Sequence, residues 1–123
     1  MSTKNDCQCS TAPKLIYPCS GAADVGAIAD QAARKLTRDG ASCLAGVGGG
    51  EPGMVESARG ASGILAIDGC PIDCARKTLE KAGVSDFAHL RVTDHGMTKG
   101  KAAVTDETIN KIAEAGGALL TCR

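Results

Sequence analysis

The sequence predicts a small α/β domain in which about four parallel strands form an open, three-layer sheet of flavodoxin- or Rossmann-like strand order 2-1-3-4. Two observations lead to this fold class: short apolar runs alternate with amphipathic segments, and glycines stand where those amphipathic segments should end. Strands that alternate with helices favour a parallel sheet with right-handed crossovers. The chain has 123 residues, which is the length of one domain.

The first strand and helix are predicted from the segment that follows a polar start. Residues 1–13 are predicted to be a flexible tail that contains cysteines, and residues 14–123 to be a single domain. The first strand is expected over Lys14 to Tyr17. Ser20 is a suitable N-cap for the first helix, and Asp39-Gly40 is a suitable end. Residues at helical spacing give this helix one apolar face: Val25, Ile28, Ala29, Ala32 and Leu36.

The middle of the chain supplies the second and third strands. Ala41 to Ala45 is the candidate for the second strand, and a glycine-rich loop and a short helix over Met54 to Arg59 follow it. Gly63 to Asp68 is apolar almost throughout, which is typical of a central strand covered on both faces.

The last third predicts two helices and an edge strand. Pro71 is expected to start a helix that ends at Gly83, with an apolar stripe formed by Ile72, Ala75, Leu79 and Ala82. Phe87 to Thr93 alternates between apolar and polar residues, as a half-exposed edge strand does, and places His89 outward. A final helix is predicted after Thr105, with Ile109, Ile112 and Ala113 facing inward.

Composition argues against several functional classes. Fourteen basic and fourteen acidic residues give zero net charge, and one Tyr, one Phe and no Trp offer few stacking surfaces, so we expect no nucleic-acid partner. No apolar run approaches the roughly 20 residues of a membrane helix, and the N-terminus lacks a secretory signal. We therefore expect a cytoplasmic protein, in which seven cysteines favour metal or thiol chemistry over disulfides.

Three cysteines are expected to meet at the carboxyl edge of the predicted sheet. Cys19 follows the first strand, Cys70 follows the third, and Cys74 lies one helical turn after Cys70. Helix N-termini stabilise thiolates, and four thiolates are a usual zinc ligand set. Cys43 joins this cluster only if the second strand ends near Leu44. Otherwise Cys7 or Cys9 of the tail is the candidate fourth ligand, whereas Cys122 is interpreted as incidental.

Several motifs together resemble the DGC-domain family of bacteria and archaea. They are Tyr17-Pro-Cys-Ser-Gly, Cys43-Leu-Ala-Gly and Ile67-Asp-Gly-Cys-Pro-Ile-Asp-Cys-Ala, the last containing the Asp68-Gly69-Cys70 triplet that gives the family its name. The resemblance implies that one zinc ion is bound by Cys19, Cys43, Cys70 and Cys74. It implies no reaction, so the sequence does not decide whether the protein is an enzyme.

Other functions remain as alternatives. A thiol-redox, persulfide- or selenium-handling protein would use Cys70 or Cys19 as a nucleophile and Cys74 to resolve the product. Cys70 to Arg76 also has the Cys-x5-Arg spacing of a phosphatase or arsenate-reductase loop, although Pro71 and Asp73 suit an oxyanion poorly.

The remaining motifs are weaker. Gly48 to Gly53 fits the dinucleotide-binding string but reads more simply as a turn. His95 is a possible metal ligand or proton donor that we expect to be a solvent-exposed loop residue. Arg76 is expected to be solvated, and Asp68 and Asp73 to make supporting hydrogen bonds rather than to bind metal.

Overall fold

The computed structural model describes residues 14–21, 23–36 and 44–120. The strands are β1 (Lys14–Pro18), β2 (Gly63–Asp68) and β3 (Ala88–Arg91). The helices are α1 (Asp24–Leu36), α2 (Leu44–Gly48), α3 (Pro52–Gly60), α4 (Cys74–Lys81) and α5 (Asp106–Leu120), and a 3-10 turn covers Val92–His95. No helix in these ranges is both long and apolar enough to cross a membrane.

The described strands form a parallel sheet in the order β1-β2-β3. Alternate residues of β2 belong to different layers of the core. Leu65 and Ile67 pack with α1 and α5 in a cluster that also contains Ile28 and Ile112. Ile64 and Ala66 pack on the other face with residues of α2, α3 and α4. The α/β class and the three layers are therefore confirmed.

The four-strand sheet and the order 2-1-3-4 are wrong for the described part of the chain. Three strands are present there, and they keep the relative positions that the prediction gave to its first, third and fourth strands. The predicted second strand is the error, because Leu44 and Ala45 begin helix α2 and residues 41–43 lie outside the described ranges. A short apolar run does not distinguish a strand from a buried helical turn by periodicity.

Two helix starts also differ from the prediction. Helix α1 begins at Asp24, and Ser20 does not cap it but donates to Asp30 Oδ1 at 2.7 Å. Helix α4 begins at Cys74 rather than at Pro71, so Ile72 precedes the helix and is 55% exposed. The rest of the predicted α4 stripe is at least partly buried, and the inward faces predicted for α1 and α5 are confirmed.

Gly116 allows α5 to approach the sheet closely. A Cβ atom at this position would lie 2.9 Å from Leu65 Cδ2 and 3.0 Å from Leu36 Cδ1. These distances are shorter than normal carbon contacts. Gly116 therefore sets the spacing between α5, α1 and β2 on the face of the sheet against which Cys70 packs.

Candidate functional site

The three described cysteines lie at the carboxyl edge of the sheet. Cys19 follows β1 directly, and its N–H donates to Ile67 O at 2.8 Å, which extends the pairing of β1 with β2. Cys70 lies two residues after β2, and Cys74 is the first residue of α4. Cys19 and Cys70 are half-buried, whereas Cys74 is exposed.

A tight turn joins Cys70 to Cys74. The Asp73 N–H donates to Cys70 O at 3.1 Å, and Asp73 adopts the left-handed conformation with φ 57° and ψ 49°. Pro71 and Ile72 at the tip of the turn are exposed. A left-handed backbone is uncommon for a residue other than glycine, so the surroundings of Asp73 must stabilise it.

Asp68, at the end of β2, holds this turn through hydrogen bonds to the start of α4. Its carboxylate is fully buried and accepts hydrogen bonds from the Ala75 N–H at 2.7 Å and the Arg76 N–H at 3.1 Å. These donors belong to the first turn of α4, which has no carbonyl partners for its N–H groups. Asp68 therefore joins the end of β2 to the start of α4 and fixes the ends of the segment that carries Cys70 and Cys74.

Asp73 is held by two arginines. Arg91 donates to both of its carboxylate oxygens, one through Nε at 2.9 Å, and Arg76 Nη2 lies 3.2 Å from Asp73 Oδ2. The Arg91 guanidinium holds the pKa of this buried carboxyl below its usual value of 3.8, although burial acts in the opposite direction. Arg76 is a partly solvated helix residue, with 39% of its side chain exposed, and it is also an ion-pair partner of Asp73, which the prediction did not include.

His89 completes the charged network, and its predicted outward position is wrong. Its Nε2 lies 2.9 Å from Asp68 Oδ2 and 3.6 Å from Asp73 Oδ1, and its side chain is 20% exposed. The sequence signal that could have found it is the register of the sheet. His89 pairs with Ala66 and Arg91 with Asp68, which places two basic side chains beside Asp68 at the end of β2 and Asp73 in the turn that follows it.

Asp68, Asp73 and His89 have ligand atoms within 4.8 Å of one another, as a metal site would require. Their bonds argue against that use. The Asp68 oxygens accept from the α4 backbone, and Asp73 is already neutralised by Arg91 and Arg76. A cation would have to displace these partners. We therefore assign the group a supporting role, in agreement with the expectation for Asp68 and Asp73.

The three thiols are not equivalent. Cys19 packs against the core cluster that contains Tyr17 and Leu79, whereas Cys70 packs against the cluster on the opposite face of the sheet. Burial raises the pKa of the Cys19 thiol, and negative charge on Asp68 and Cys74 acts in the same direction. The backbone N–H groups of Gly69 and Gly21 partly oppose this shift of the pKa.

The donor type fits a thiophilic metal ion, but the described thiols do not yet surround one point. Cys19, Cys70 and Cys74 are absent from the groups of described side chains whose ligand atoms all lie within 4.8 Å. Zinc in a four-thiolate site would supply a closed structural link between the residues that bind it.

Gly69 lets the cysteine turn approach helix α1. A Cβ atom on Gly69 would lie 2.9 Å from Gly26 N and from Val25 C, which are backbone atoms. Gly26 in turn faces Gly21, because a Cβ atom on Gly26 would lie 2.7 Å from the carbonyl oxygen of Gly21. The central glycine of Asp68-Gly69-Cys70 is therefore required by packing against the start of α1.

The other candidate ligands are only partly accounted for. Cys43, Cys7, Cys9 and Cys122 lie outside the described residues, so their predicted roles remain predictions. His95 is half-buried at the end of the 3-10 turn rather than fully exposed, and its carbonyl oxygen accepts a hydrogen bond from Lys111 Nζ at 2.9 Å.

The structure weakens the two loop-based alternatives. In a Cys-x5-Arg oxyanion loop, N–H groups at the start of the helix would bind the anion, but Asp68 occupies those of Ala75 and Arg76. Arg76 itself pairs with Asp73. The loop before Gly53 follows helix α2 rather than a strand, whereas the dinucleotide motif requires a strand.

Comparisons with known proteins agree with the motifs at this site. The chain is 41% identical over 88 residues to the "Anaerobic and virulence modulator AnvM" of Pseudomonas aeruginosa, an alignment that covers 69% of this chain and 67% of that protein. No solved structure matches the chain significantly. The family model of the DGC domain matches residues 15–115, which include Cys19, Cys70, Cys74 and their supporting charges. The chain therefore belongs to the DGC domain family.

Proposed function

We propose that this chain binds one zinc ion through Cys19, Cys70 and Cys74, with Cys43 as the fourth ligand. The observation that carries this proposal is that Cys19 and Cys70 leave adjacent parallel strands at one edge, where Cys74 begins α4. Several thiolates at one edge of the sheet suit zinc, which binds four such ligands at about 2.3 Å.

The rigid turn supports metal binding at these residues. Asp68 and Asp73 fix the backbone on both sides of Pro71 and Ile72, so the main-chain positions of Cys70 and Cys74 are set before any ion arrives. Such preorganisation lowers the ordering cost of ligation. Cys19 and Cys70 pack against opposite faces of the sheet, so closure of the site requires a rearrangement of at least one of these side chains.

A regulatory use of the site is the second part of the proposal. The related protein of Pseudomonas aeruginosa is described as a modulator, and a bound ion that links β1, β2 and α4 would couple metal supply to the stability of this edge.

The test is elemental analysis of full-length protein purified without added metal or a metal-chelating tag. We expect about one zinc per chain in the wild type. Cys19→Ser, Cys70→Ser and Cys74→Ser should each lose most of the metal, whereas Cys122→Ser, a matched change at the interpreted incidental cysteine, should retain it.

Metal-free wild-type protein with accessible thiols would overturn the proposal and favour the thiol-redox or sulfur-handling alternative. Iron in place of zinc would overturn the choice of metal but not of ligands, because four thiolates also hold iron–sulfur clusters. Visible absorbance of the purified protein separates the two metals.

A further inference from the structure

A short strap crosses the carboxyl edge beside Cys70. We define the lysine strap as residues 97–102, between the 3-10 turn and α5. Met97 is buried in the core at 8% exposure, and the half-buried Ala102 packs against the same cluster. Both ends of the strap are therefore fixed, and Lys99 lies between them.

Asp24 holds the centre of the lysine strap. Its carboxylate accepts hydrogen bonds from the Gly100 N–H at 2.9 Å and the Ala102 N–H at 2.8 Å. The Lys101 N–H donates to Thr98 O at 2.9 Å, which closes a turn around Lys99 and Gly100. Asp24 is the first residue of α1, so the strap is tied directly to the helix that packs against Gly69.

Lys99 directs its charge at Cys70. Its Nζ atom lies 3.9 Å from Cys70 Sγ, and both groups are accessible to solvent. Three carboxylates that bind the strap or the elements beside it have other partners: Asp24 accepts from the strap backbone, Asp68 from the α4 backbone, and Asp94 from Arg91. The thiol on this face of the sheet therefore stands beside a cation that no carboxylate in the described contacts neutralises.

We infer that Lys99 is a specificity-determining residue that selects anionic low-molecular-weight disulfides as reaction partners of Cys70. This inference rests on the thiol site of the proposed function but not on its metal. The Cys70 thiolate would attack one sulfur of the disulfide. A new S–S bond forms to Cys70, the original S–S bond breaks, and the second half leaves as a thiolate, so no further oxidant is required.

The ratio of the rates at which Cys70 reacts with an anionic and with a neutral disulfide separates its preference for anions from the intrinsic reactivity of the thiol. Full-length protein as purified is treated separately with dithiobis(nitrobenzoate), a dianion, and with neutral dithiodipyridine, and modification at Cys70 is followed by mass spectrometry. The thiolate fraction affects both rates equally and cancels in their ratio. An adjacent unit charge should favour the dianion about three- to tenfold.

Matched variants then test the role of Lys99. We expect Lys99→Gln to remove this preference and Lys99→Arg to keep it, whereas Lys101→Gln, an equal loss of charge on the same strap, should change it little. Asp24→Asn should give an intermediate ratio because the strap loses its anchor. High salt should bring the rate ratio of the wild type towards that of Lys99→Gln. When the proteins are unfolded in urea, all variants should give the same rate ratio.

An unchanged ratio in Lys99→Gln, or an equal loss in Lys101→Gln, would overturn the inference. Its failure is distinguishable from failure of the proposed function, because metal content is measured independently. A metal-free protein with a Lys99-dependent ratio would retain this inference alone, and a zinc-loaded protein with no such ratio would retain the proposed function alone.

Discussion

Asp73 combines a left-handed backbone with a buried negative charge directly before Cys74. Neither property is favourable by itself, and each is compensated by Arg91, which binds both oxygens of the carboxylate. Arg91 comes from the neighbouring strand and also bonds to Asp94 at 3.2 Å. Through Asp73 it holds the turn that precedes Cys74, so in the proposed zinc site it would be a supporting residue behind a ligand.

Arg91→Gln should weaken the proposed zinc binding about 10- to 100-fold, the usual effect of removing such a supporting contact. Arg91→Lys, which keeps the charge but not the two-point geometry, should give a smaller loss. Competition with a chelator of known affinity measures both variants. Equal affinity in wild type and Arg91→Gln would show that the turn is held without this ion pair.

Gly69→Ala should destabilise the fold by about 1–3 kcal/mol, because the added methyl meets the backbone of Val25 and Gly26, which cannot rotate away. Gly60→Ala is the matched control. Gly60 ends α3, and a Cβ there has nothing within 4 Å, so the change should be neutral or slightly stabilising. Urea unfolding of the two variants measures the difference, and similar losses would contradict the close approach.

The sequence predicted the chemistry of the site residues better than their contacts. Asp68 and Asp73 were expected to make supporting hydrogen bonds, and they do. His89 and Arg76 were expected to face solvent, because alternation and helix position describe one element at a time. Their partners lie on other elements, and only the register of β2 with β3 brings His89 to Asp68.

At the scale of elements, the start of α4 decides which residues are buried. Asp68 accepts from the Ala75 and Arg76 N–H groups, so the helix is capped from β2 rather than started by Pro71. Sequence rules favour proline in the first turn and cannot see a cap that comes from seven residues upstream. The consequence is that Ile72 leaves the predicted apolar stripe and joins the exposed tip of the turn.

Ile72→Gln should change the free energy of unfolding by less than about 0.5 kcal/mol, as expected for an exposed position. Leu79→Ala, which changes a fully buried residue of the same helix, should cost about 2–5 kcal/mol. Denaturant titration of both variants checks the helix start. A large loss in Ile72→Gln would restore Ile72 to the core and contradict a helix that begins at Cys74.

At the scale of the whole molecule, the parallel arrangement was the most predictable feature. A run from Gly63 to Asp68 that is apolar up to its last residue must be covered on both faces, and this requirement fixes β2 between two helical layers. The same logic placed Cys19 and Cys70 at one edge. It did not show that their side chains pack on opposite faces of the sheet, since that depends on the turn that Asp68 and Gly69 impose.

The acid stability of the molecule tests how far its buried and bridging carboxylates hold these layers together. Hydrogen bonds from the Gly100 and Ala102 N–H groups lower the pKa of Asp24 below 3.8, and Arg91 lowers that of Asp73. A pKa lowered on folding stabilises the native state above the unfolded pKa, and this contribution is lost as the pH falls through the folded pKa. We therefore expect the urea midpoint of the wild type to stay constant between about pH 7 and pH 5 and to fall steeply below about pH 4.

Asp24→Asn should be less stable than wild type at pH 7. Its urea midpoint should fall less steeply with pH and converge on that of the wild type in acid. Glu114→Gln, which removes an exposed carboxylate from α5, should leave the curve nearly unchanged. Parallel curves for wild type and Asp24→Asn would contradict the role of Asp24 as the link between α1 and the lysine strap.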